Sequence, residues 1–468
     1  MTAIDPDRED AAAAVATRAA TPAPMPPPVP AAVFLTGNLF RHVVVMSLTS
    51  SLGIMSIFAV DVLNMVFISW LGRAELAAAI GYAGAILFFT ISFGIGMSIA
   101  AAALVARALG EGDRALARRR AGHALIHGVW MGAAFAAVVW VFLGPLVRAI
   151  GASGETERLA IFYLQIVTPS LPLLMVGMIG GAILRAHGDA RRAMLCTLYG
   201  AGVALVLDPV FILWMGWELT GAAVVTVLAR MMIAGTALIP IIRHHGGFER
   251  PTLAGLLEDL RPVTMIAFPA VLTQIATPAG QAYVTRAMAA FGEAAVAGMA
   301  ITGRLTPLVF GVVFALSGSI GPIIGQNAGA KQWDRVAQTL RDGLLFTALV
   351  SVAVSVLLFV LRAPLADLFG ATGVTRDIVY LFCGPLSLLF FFNGAIFVAN
   401  AACNNLGQPF QATLVNWGRH TIGTVPLVIV GAAWLGASGV LLGQAVGGIF
   451  FAAIAIWQAR RAIAAAAG

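Results

Sequence analysis

The stretch 378–418 reads IVYLFCGPLSLLFFFNGAIFVANAACNNLGQPFQATLVNWG and contains no Asp, Glu, Lys or Arg. The stretch 420–458 also lacks these four residue types. Over the whole chain of 468 residues, 60% are hydrophobic and 10% are charged, against about 25% charged residues in an average soluble domain. A soluble protein of this size needs more charge to cover its surface, so the composition predicts an integral membrane protein.

Apolar runs of about 20 residues, bounded by Gly, Pro or charged residues, predict roughly twelve transmembrane helices. In the first half these helices cover 41–70, 76–107, 119–144, 158–185, 192–215 and 219–242. In the second half they cover 262–290, 294–328, 334–361, 376–402, 409–432 and 437–459. The predicted fold class is therefore an all-α integral membrane protein.

Sequence similarity between the two halves indicates an internal repeat with an offset of about 220 residues. LGRAELAAA at Leu71 is similar to FGEAAVAGM at Phe291, and ILRAHGDARRAML at Ile183 is similar to ACNNLGQPFQATL at Ala402. Parallel repeats of this kind place the substrate path between them, which favours an alternating-access transporter over a pore. We therefore predict a disordered tail (1–37), a six-helix lobe (38–243), an inter-lobe loop (244–261), a second six-helix lobe (262–460) and a C-terminal tail (461–468).

The distribution of basic residues predicts the orientation in the membrane. If the N-terminus is cytoplasmic, most arginines and the single lysine lie at inner helix ends, as the positive-inside rule requires. The outer ends then hold only Arg73, Arg148, Arg158, Arg362 and Arg376. We expect a multi-pass protein of a bacterial inner membrane with both termini in the cytoplasm. The net charge of +7 is explained by these helix ends, without nucleic-acid binding.

Several motifs of enzymes and pumps are missing from the sequence. Lys331 is the only lysine and lies between Ala330 and Gln332, so the chain has no phosphate-binding loop with Gly-Lys-Ser/Thr. HExxH, G-x-S-x-G and Cys/His clusters are also absent from the sequence. We therefore expect neither an enzyme nor a metal or organic cofactor.

Charged residues inside predicted membrane helices generally mark a transport pathway or an ion pair, because each is costly in lipid. The two acids of this kind are Asp61 and Asp208, and the bases are Arg230, Arg286, Arg304 and Arg419. A carboxylate in an apolar cavity can bind and release a proton near neutral pH, because desolvation disfavours its charge. Structural ion pairs between helices are the alternative explanation.

Asp208 precedes Pro209 in the motif VALVLDPVFIL. Proline has no amide hydrogen, so the carbonyl of Leu205 loses its helical partner and the helix should kink. Thr226 on the next helix can contribute a hydroxyl group to the resulting pocket. Arg230, one turn later on the same face, can also reach it, and the sequence leaves open whether Arg230 pairs with Asp208.

A second group of candidates lies in the second half of the chain. His420 is inside the eleventh predicted helix and can act as a proton relay, although polar packing is the favoured explanation. Phenylalanines and amides on the seventh and tenth helices can line an apolar cleft for amphipathic cations. The candidate cleft residues are Gln274, Gln281, Phe391 and Asn393.

These motifs together resemble the multidrug and toxic compound extrusion (MATE) family. The resemblance covers about residues 38–460 and rests on VDVLNMVFISWLGRAELAAA, ALGEGDRALAR, ILRAHGDARRAM, LDPVFI, GAAVVTVLAR and IGQNAGAKQWDR. It implies that Asp61, Asp208 and Thr226 belong to a cation-coupling cavity in the N-terminal lobe. Arg304 is similar to an arginine of one proton-coupled branch, and Arg230 and Arg304 are possible ion-pair partners of the acids.

The resemblance also bears on the coupling ion. Some relatives couple to sodium through acids in the seventh and tenth helices, but the corresponding stretches AVLTQIATPAGQAYV and LFFFNGAIFVANAA contain none. Ile57 and Ala204 stand where relatives often have Tyr and Asn, so fewer polar side chains are expected around the two acids than in those relatives. The resemblance therefore favours coupling to H⁺ over Na⁺.

The combined prediction is a secondary antiporter that exports organic cations or amphipathic compounds in exchange for protons. A monomer is sufficient for this mechanism, and the expected partners are small-molecule substrates and the lipid bilayer. A sodium-coupled drug antiporter and a flippase for a lipid-linked precursor remain the alternatives. A flippase requires a strongly basic central cavity, to which the intramembrane arginines can contribute.

Overall fold

The computed structural model describes residues 32–468, apart from the side chains of Ser69 and Ala74, and all regular elements in this range are helical. Its first half contains six long helices, which we number in chain order. They are α1 Leu39–Trp70, α2 Ala74–Gly110, α3 Arg114–Val141, α4 Gly154–Ala186, α5 Ala190–Trp214 and α6 Glu218–His244. A short helix, Leu143–Ala149, connects α3 to α4.

The second half continues with helices α7 to α12. They are α7 Leu253–Ala289, α8 (the bent pair Glu293–Val309 and Gly311–Gly329), α9 Trp333–Leu368, α10 Gly373–Asn405, α11 over 409–435 and α12 over 437–467. Helices α11 and α12 separate at Gly436, where φ is 61° and ψ is −140°. Glycine adopts this conformation at low cost because it has no Cβ, and the chain turns back there.

The prediction of an all-α membrane protein with about twelve helices is confirmed. In the described range, ten helices are long and apolar enough to cross a membrane, and the bent pair of α8 gives an eleventh. The last of the ten runs from Pro409 to Ala467 and contains the turn at Gly436. Counting α11 and α12 separately therefore gives twelve crossings.

Two predicted boundaries are wrong because helices extend into regions assigned to a loop and a tail. Helix α7 begins at Leu253, within the predicted loop 244–261, where the hydroxyl of Thr252 caps it by accepting a hydrogen bond from the amide of Gly255 at 3.2 Å. Helix α12 continues to Ala467 through the predicted tail 461–468. The terminal alanines have the highest helix propensity, which favours this extension.

The segment before α1 corrects the predicted tail as well. Residues 1–31 lie outside the described residues, but Val33–Leu35 form a 3₁₀ turn and Phe34 is 1% exposed. Phe34 belongs to an apolar core to which mainly α1 and α8 to α12 contribute. We call the segment 32–38 the strap. Because burial of Phe34 anchors it, the predicted tail cannot reach residue 37.

The two halves pack tightly at one end of the bundle, which we call the basic end. It comprises the loops 111–113, 187–189 and 330–332 with their flanking arginines. Here α2 contacts both α7 and the second part of α8. Gly110 lies against the backbone of Gln326, and Gly329 lies against the carbonyl of Arg107, so closely that a Cβ at either glycine would collide. The halves are therefore closed against each other at the basic end.

Candidate functional site

Asp208 is buried where α5 changes its helical form. The α-helical part of α5 ends at Asp208, and a π-helical turn, Pro209–Trp214, follows it, which agrees with the loss of the proline amide as a donor. The carboxyl group is 1% exposed, and its Oδ2 accepts a hydrogen bond from Asn64 Nδ2 at 3.2 Å. Its Oδ1 has no partner in the described part of the chain and is free to take up a proton.

Asp61 lies one helical turn before Asn64 on α1. Residues three apart share a face of a helix, so Asp61 and the amide that binds Asp208 belong to the same face. The Asp61 side chain is exposed and forms no hydrogen bond within the described residues. The structure thus connects the two predicted acids through Asn64, which bonds to one and neighbours the other.

Thr226 lies beside a buried tyrosine of α4. Its hydroxyl oxygen is 3.4 Å from the hydroxyl oxygen of Tyr163 and 2.9 Å from the carbonyl of Ala222. Because a hydroxyl has a single proton, Tyr163 donates to Thr226 whenever Thr226 donates to Ala222. Thr226 is therefore connected to α4, and no hydrogen bond in the described range joins it to either acid.

Arg230 does not pair with Asp208, which corrects the predicted ion pair. Its Nη1 donates to the carbonyl of Val167 at 3.0 Å and to the hydroxyl of Ser170 at 2.7 Å. Helix α4 tightens to a 3₁₀ turn over Thr168–Ser170, which frees the Val167 carbonyl for an outside donor. Arg230 is buried at 7% exposure and supports this break in α4.

Arg304 on α8 also forms no ion pair among the described residues, contrary to the second predicted pairing. Its nearest polar contact is the thioether of Met65, at 3.8 Å from Nη2, which is a weak acceptor. Met65 lies one turn after Asp61 on α1, so Arg304 reaches across from the second half toward the region of this acid. The guanidinium remains exposed.

The predicted cleft residues of the second half are not joined to one another by hydrogen bonds. Gln281 is exposed and accepts a hydrogen bond from Gln444 at 3.2 Å. Gln274 and Asn393 are half-buried and have no hydrogen-bonded side chain within the described residues. Phe391 packs against the core of the second half and meets the ring of Phe392 edge-on, so its contacts are those of a core residue.

Sequence reasoning missed three members of the polar network in the first half. They are Asn64, Tyr163 and Ser170, each of which bonds to a predicted residue. Spacing could have identified Asn64, because it follows Asp61 by one turn within VDVLNMVF. Tyr163 and Ser170 had no such signal, since their partners lie on another helix. In the described range, no three His, Cys, Asp or Glu side chains cluster as a metal site requires.

Gln326 joins three segments at the basic end. Its Oε1 accepts from the amide of Phe34 at 2.9 Å, and its Nε2 donates to the carbonyl of Ala186 at 2.8 Å. Asn327 Nδ2 donates to the carbonyl of Phe34 at 3.2 Å, and Arg335 Nη2 donates to the same oxygen at 2.9 Å. The strap is thus hydrogen-bonded to the second half, and Gln326 in turn bonds to Ala186 of the first half, so these contacts stabilise closure at the basic end.

The loop 187–189 covers the strap and carries two groups with shifted pKa values. Burial lowers the pKa of His187 to about 4. Burial alone would raise the pKa of Asp189, but hydrogen bonds from His245 and Arg192 lower it to about 2. Gly188 lies against Val33 and Phe34, so this charge pattern is part of the closed basic end.

We expect mild acid to destabilise the protein through His187. In the unfolded chain its pKa is about 6.5, so below that pH the unfolded state binds the proton first, and stability falls until the pH reaches about 4. In His187→Gln, the apparent melting temperature should decrease less than in wild type as the pH is lowered from about 6.5 to about 4. His244→Gln, at an exposed position, is the control. Identical pH profiles for wild type and His187→Gln would contradict this explanation.

Comparison with known proteins gives consistent matches over most of the chain. A family model described as MatE matches residues 40–210 and 269–430. The FAD transporter of Shewanella oneidensis is 28% identical over 421 residues, covering 87% of this chain and 91% of its own. The multidrug export protein MepA of Staphylococcus aureus (strain N315) is 22% identical over 416 residues, covering 87% of this chain and 90% of its own.

Solved structures with the same fold are also found. A mutant of the Vibrio cholerae MATE transporter VcmN matches with a TM-score of 0.85 at 25% identity, over 92% of this chain and 97% of its own. A transporter of the MOP superfamily from Pyrococcus furiosus, whose binding pocket is described as having reversed polarity, matches with a TM-score of 0.87 at 21% identity, over 94% and 99%.

Proposed function

The chain belongs to the multidrug and toxic compound extrusion (MATE) family of membrane transporters, and we propose that it exports amphipathic or cationic organic compounds in exchange for protons. The observation that carries the proposal is the buried carboxyl group of Asp208. One of its oxygens is held by Asn64, and the other has no partner in the described part of the chain. A buried polar atom without a partner requires a reason, and proton uptake provides one.

Alternating access requires that contacts close one end of the path at a time, and the described structure has such contacts at the basic end. We propose that the protein lies in a bacterial inner membrane with the basic end and both termini in the cytoplasm, because basic residues concentrate at cytoplasmic helix ends. The contacts of Gln326 with the strap and with Ala186 then seal the cytoplasmic side. In this orientation the described conformation is closed to the cytoplasm, and one chain is sufficient for the transport path.

The coupling step is assigned to the polar network of α1 and α5. A neutral carboxylic acid accepts a weaker hydrogen bond than a carboxylate does, so protonation of Asp208 weakens the bond from Asn64 and loosens α1 from α5. Asp61, on the same face of α1, also takes up a proton and moves with this helix. We propose that this movement lowers the affinity for the exported compound, and that proton release to the cytoplasm resets the site.

Sodium coupling is the principal alternative for the driving ion. A sodium site needs several oxygen ligands, and carboxylates are the usual anionic ones. Helix α10 contains a single acid, Asp377, at its outer end, and α7 contains Glu258 and Asp259 only in its first turns at the basic end. This distribution supports proton coupling through the first half of the chain. A flippase function would require a basic cavity, and the buried Arg230 is already bound to Ser170.

A phosphate-bearing substrate is the second candidate. It is favoured by the relative named FAD transporter, which is 28% identical over 87% of this chain. The first-half site and the proposed coupling are the same for this substrate, so the two candidates differ only in the exported compound.

The test uses everted membrane vesicles energised by respiration, with a pH-sensitive dye that reports the internal acidity. Addition of a fluoroquinolone or a cationic dye is expected to release protons from vesicles that contain the protein and not from vesicles without it. FAD is tested in the same way for the second candidate. Proton coupling is wrong if two results are obtained together. No tested compound releases protons, and added sodium drives efflux of a preloaded substrate in the absence of a proton gradient.

A further inference from the structure

Two basic side chains are buried side by side in the second half. Arg419 and His420 begin the π-helical turn Arg419–Gly423 inside α11 and are 8% and 5% exposed. π-Helical turns within α-helices occur frequently at functional sites. The stretch from Ile378 to the C-terminus contains no acid, and neither does 260–292 on α7.

Both side chains lack hydrogen-bond partners in the described part of the chain. Arg419 Nε and both ring nitrogens of His420 are buried without a partner, and none of the ion pairs found among the described residues includes Arg419. Arg230 shows the opposite situation, because it is equally buried and bonds to Val167 and Ser170. Arg230 therefore has protein acceptors for its guanidinium, and Arg419 has none within the described residues.

The neighbours of this pair include two amides. The ring of His420 lies so close to Gly280 that a Cβ there would collide with it, and the guanidinium of Arg419 lies beside Gly448. Gln281 follows Gly280, and Gln444 precedes Gly448 by one turn of α12. Gln444 donates to Gln281 at 3.2 Å. The two glycines therefore place the amide pair in the neighbourhood of Arg419 and His420, and the side chain of Gln281 is exposed.

An arginine that is buried without a counter-charge is costly, because the guanidinium stays protonated in proteins. An acceptor from outside the described chain would offset this cost. A phosphate or carboxylate group satisfies the fork of an arginine with two parallel hydrogen bonds. An imidazole and an amide NH₂ can donate to the remaining oxygens.

We propose that Arg419 and His420, with Gln281 and Gln444 at the opening, form a binding site for a phosphate or carboxylate group. The group belongs either to the transported compound or to the headgroup of an anionic lipid. This inference rests on the proposed function only for the first of these sources, because a transported compound is a substrate of the carrier. It places the acidic part of an exported molecule in the second half, away from the acids of the first half.

The experiment measures binding without any proton gradient, so its result is independent of the coupling mechanism. The purified protein in phosphatidylcholine nanodiscs is titrated with riboflavin 5′-phosphate and with riboflavin, which share a fluorescent ring and differ in a phosphate. Wild type is expected to bind the phosphate form more tightly. Arg419→Gln should weaken it about ten- to hundredfold, as for loss of hydrogen bonds to a charged group, and leave riboflavin unchanged.

Further variants separate a binding defect from a folding defect. Arg419→Lys keeps the charge and should retain part of the preference, and His420→Gln should lose a smaller part. Arg286→Gln, at an exposed arginine of α7, is the control and should bind both flavins as wild type does.

The source of the bound group is distinguished by adding phosphatidylglycerol to the nanodiscs. If the lipid weakens binding of the phosphate form in wild type and not in Arg419→Gln, an anionic headgroup occupies the site. If it has no effect, the site takes the phosphate of a solute. Equal affinity of wild type for the two flavins in phosphatidylcholine, or an unchanged preference in Arg419→Gln, would overturn the proposal.

Discussion

Asp61→Asn is expected to reduce substrate-induced proton release to the level of vesicles without the protein. Asparagine has nearly the same size and remains polar, but it cannot take up a proton. The side chain is exposed and has no hydrogen bond within the described residues, so the substitution removes titration without breaking a structural contact. Asp208→Asn should have the same effect on proton release, with an added loss of stability because an amide oxygen accepts a weaker hydrogen bond from Asn64 than a carboxylate does.

The measurement combines dye-reported proton release in everted vesicles with equilibrium binding of the same compound to the purified protein. Binding to Asp61→Asn should persist while proton release disappears. Asp342→Asn is the matched control, because Asp342 is a half-buried carboxylate on α9 outside the first-half network. Full proton-dependent export by Asp61→Asn would remove this residue from the coupling site.

Gly110→Val is expected to prevent full closure at the basic end and to lower transport strongly. A side chain at this position would occupy the space of the Gln326 backbone, which belongs to the opposite half of the chain. Overpacking typically costs about 1–3 kcal/mol, which shifts a two-state equilibrium roughly five- to hundredfold. The substitution destabilises the closed state by this free energy and leaves the state that is open at the basic end unaffected. The carrier should therefore accumulate in the open state.

The shift can be measured through the reactivity of Ala186→Cys toward a maleimide. Ala186 is fully buried beside the amide of Gln326, so a thiol there becomes reactive only when the basic end opens. The labelling rate should rise in the Gly110→Val background. Gly84→Val is the control, because Gly84 lies on the same helix α2 and nothing lies within 4 Å of its added Cβ. If both backgrounds label at the same rate, the glycine contact does not control closure.

The strap gives this closure a second component. Phe34 is buried in the core of the second half, and its amide and carbonyl bond to Gln326 and Asn327. Opening of the basic end must break these bonds together with the glycine contacts. We therefore expect the strap to be released when the carrier turns to the cytoplasm, which couples the segment before α1 to the transport cycle.

The sequence by itself determined the features that lipid imposes on each segment separately. A helix that crosses a bilayer needs about 20 apolar residues, so the spans, their number and the fold class could be read without knowledge of contacts. Charge inside a span is costly, so Asp61 and Asp208 stood out as candidates. Even the local break at Pro209 followed from a missing amide.

Only the tertiary structure decided which groups meet, because partners on different helices are not fixed by spacing along the chain. Asn64 reaches Asp208 from α1, and Arg230, which the sequence placed within reach of that acid, bonds to the freed carbonyl of Val167 on α4. Burial of Phe34 likewise depends on a core that includes residues of α8 to α12, far away in sequence. The orphan state of Arg419 follows from the same cause, since only the packed helices determine whether an acceptor lies near a buried cation.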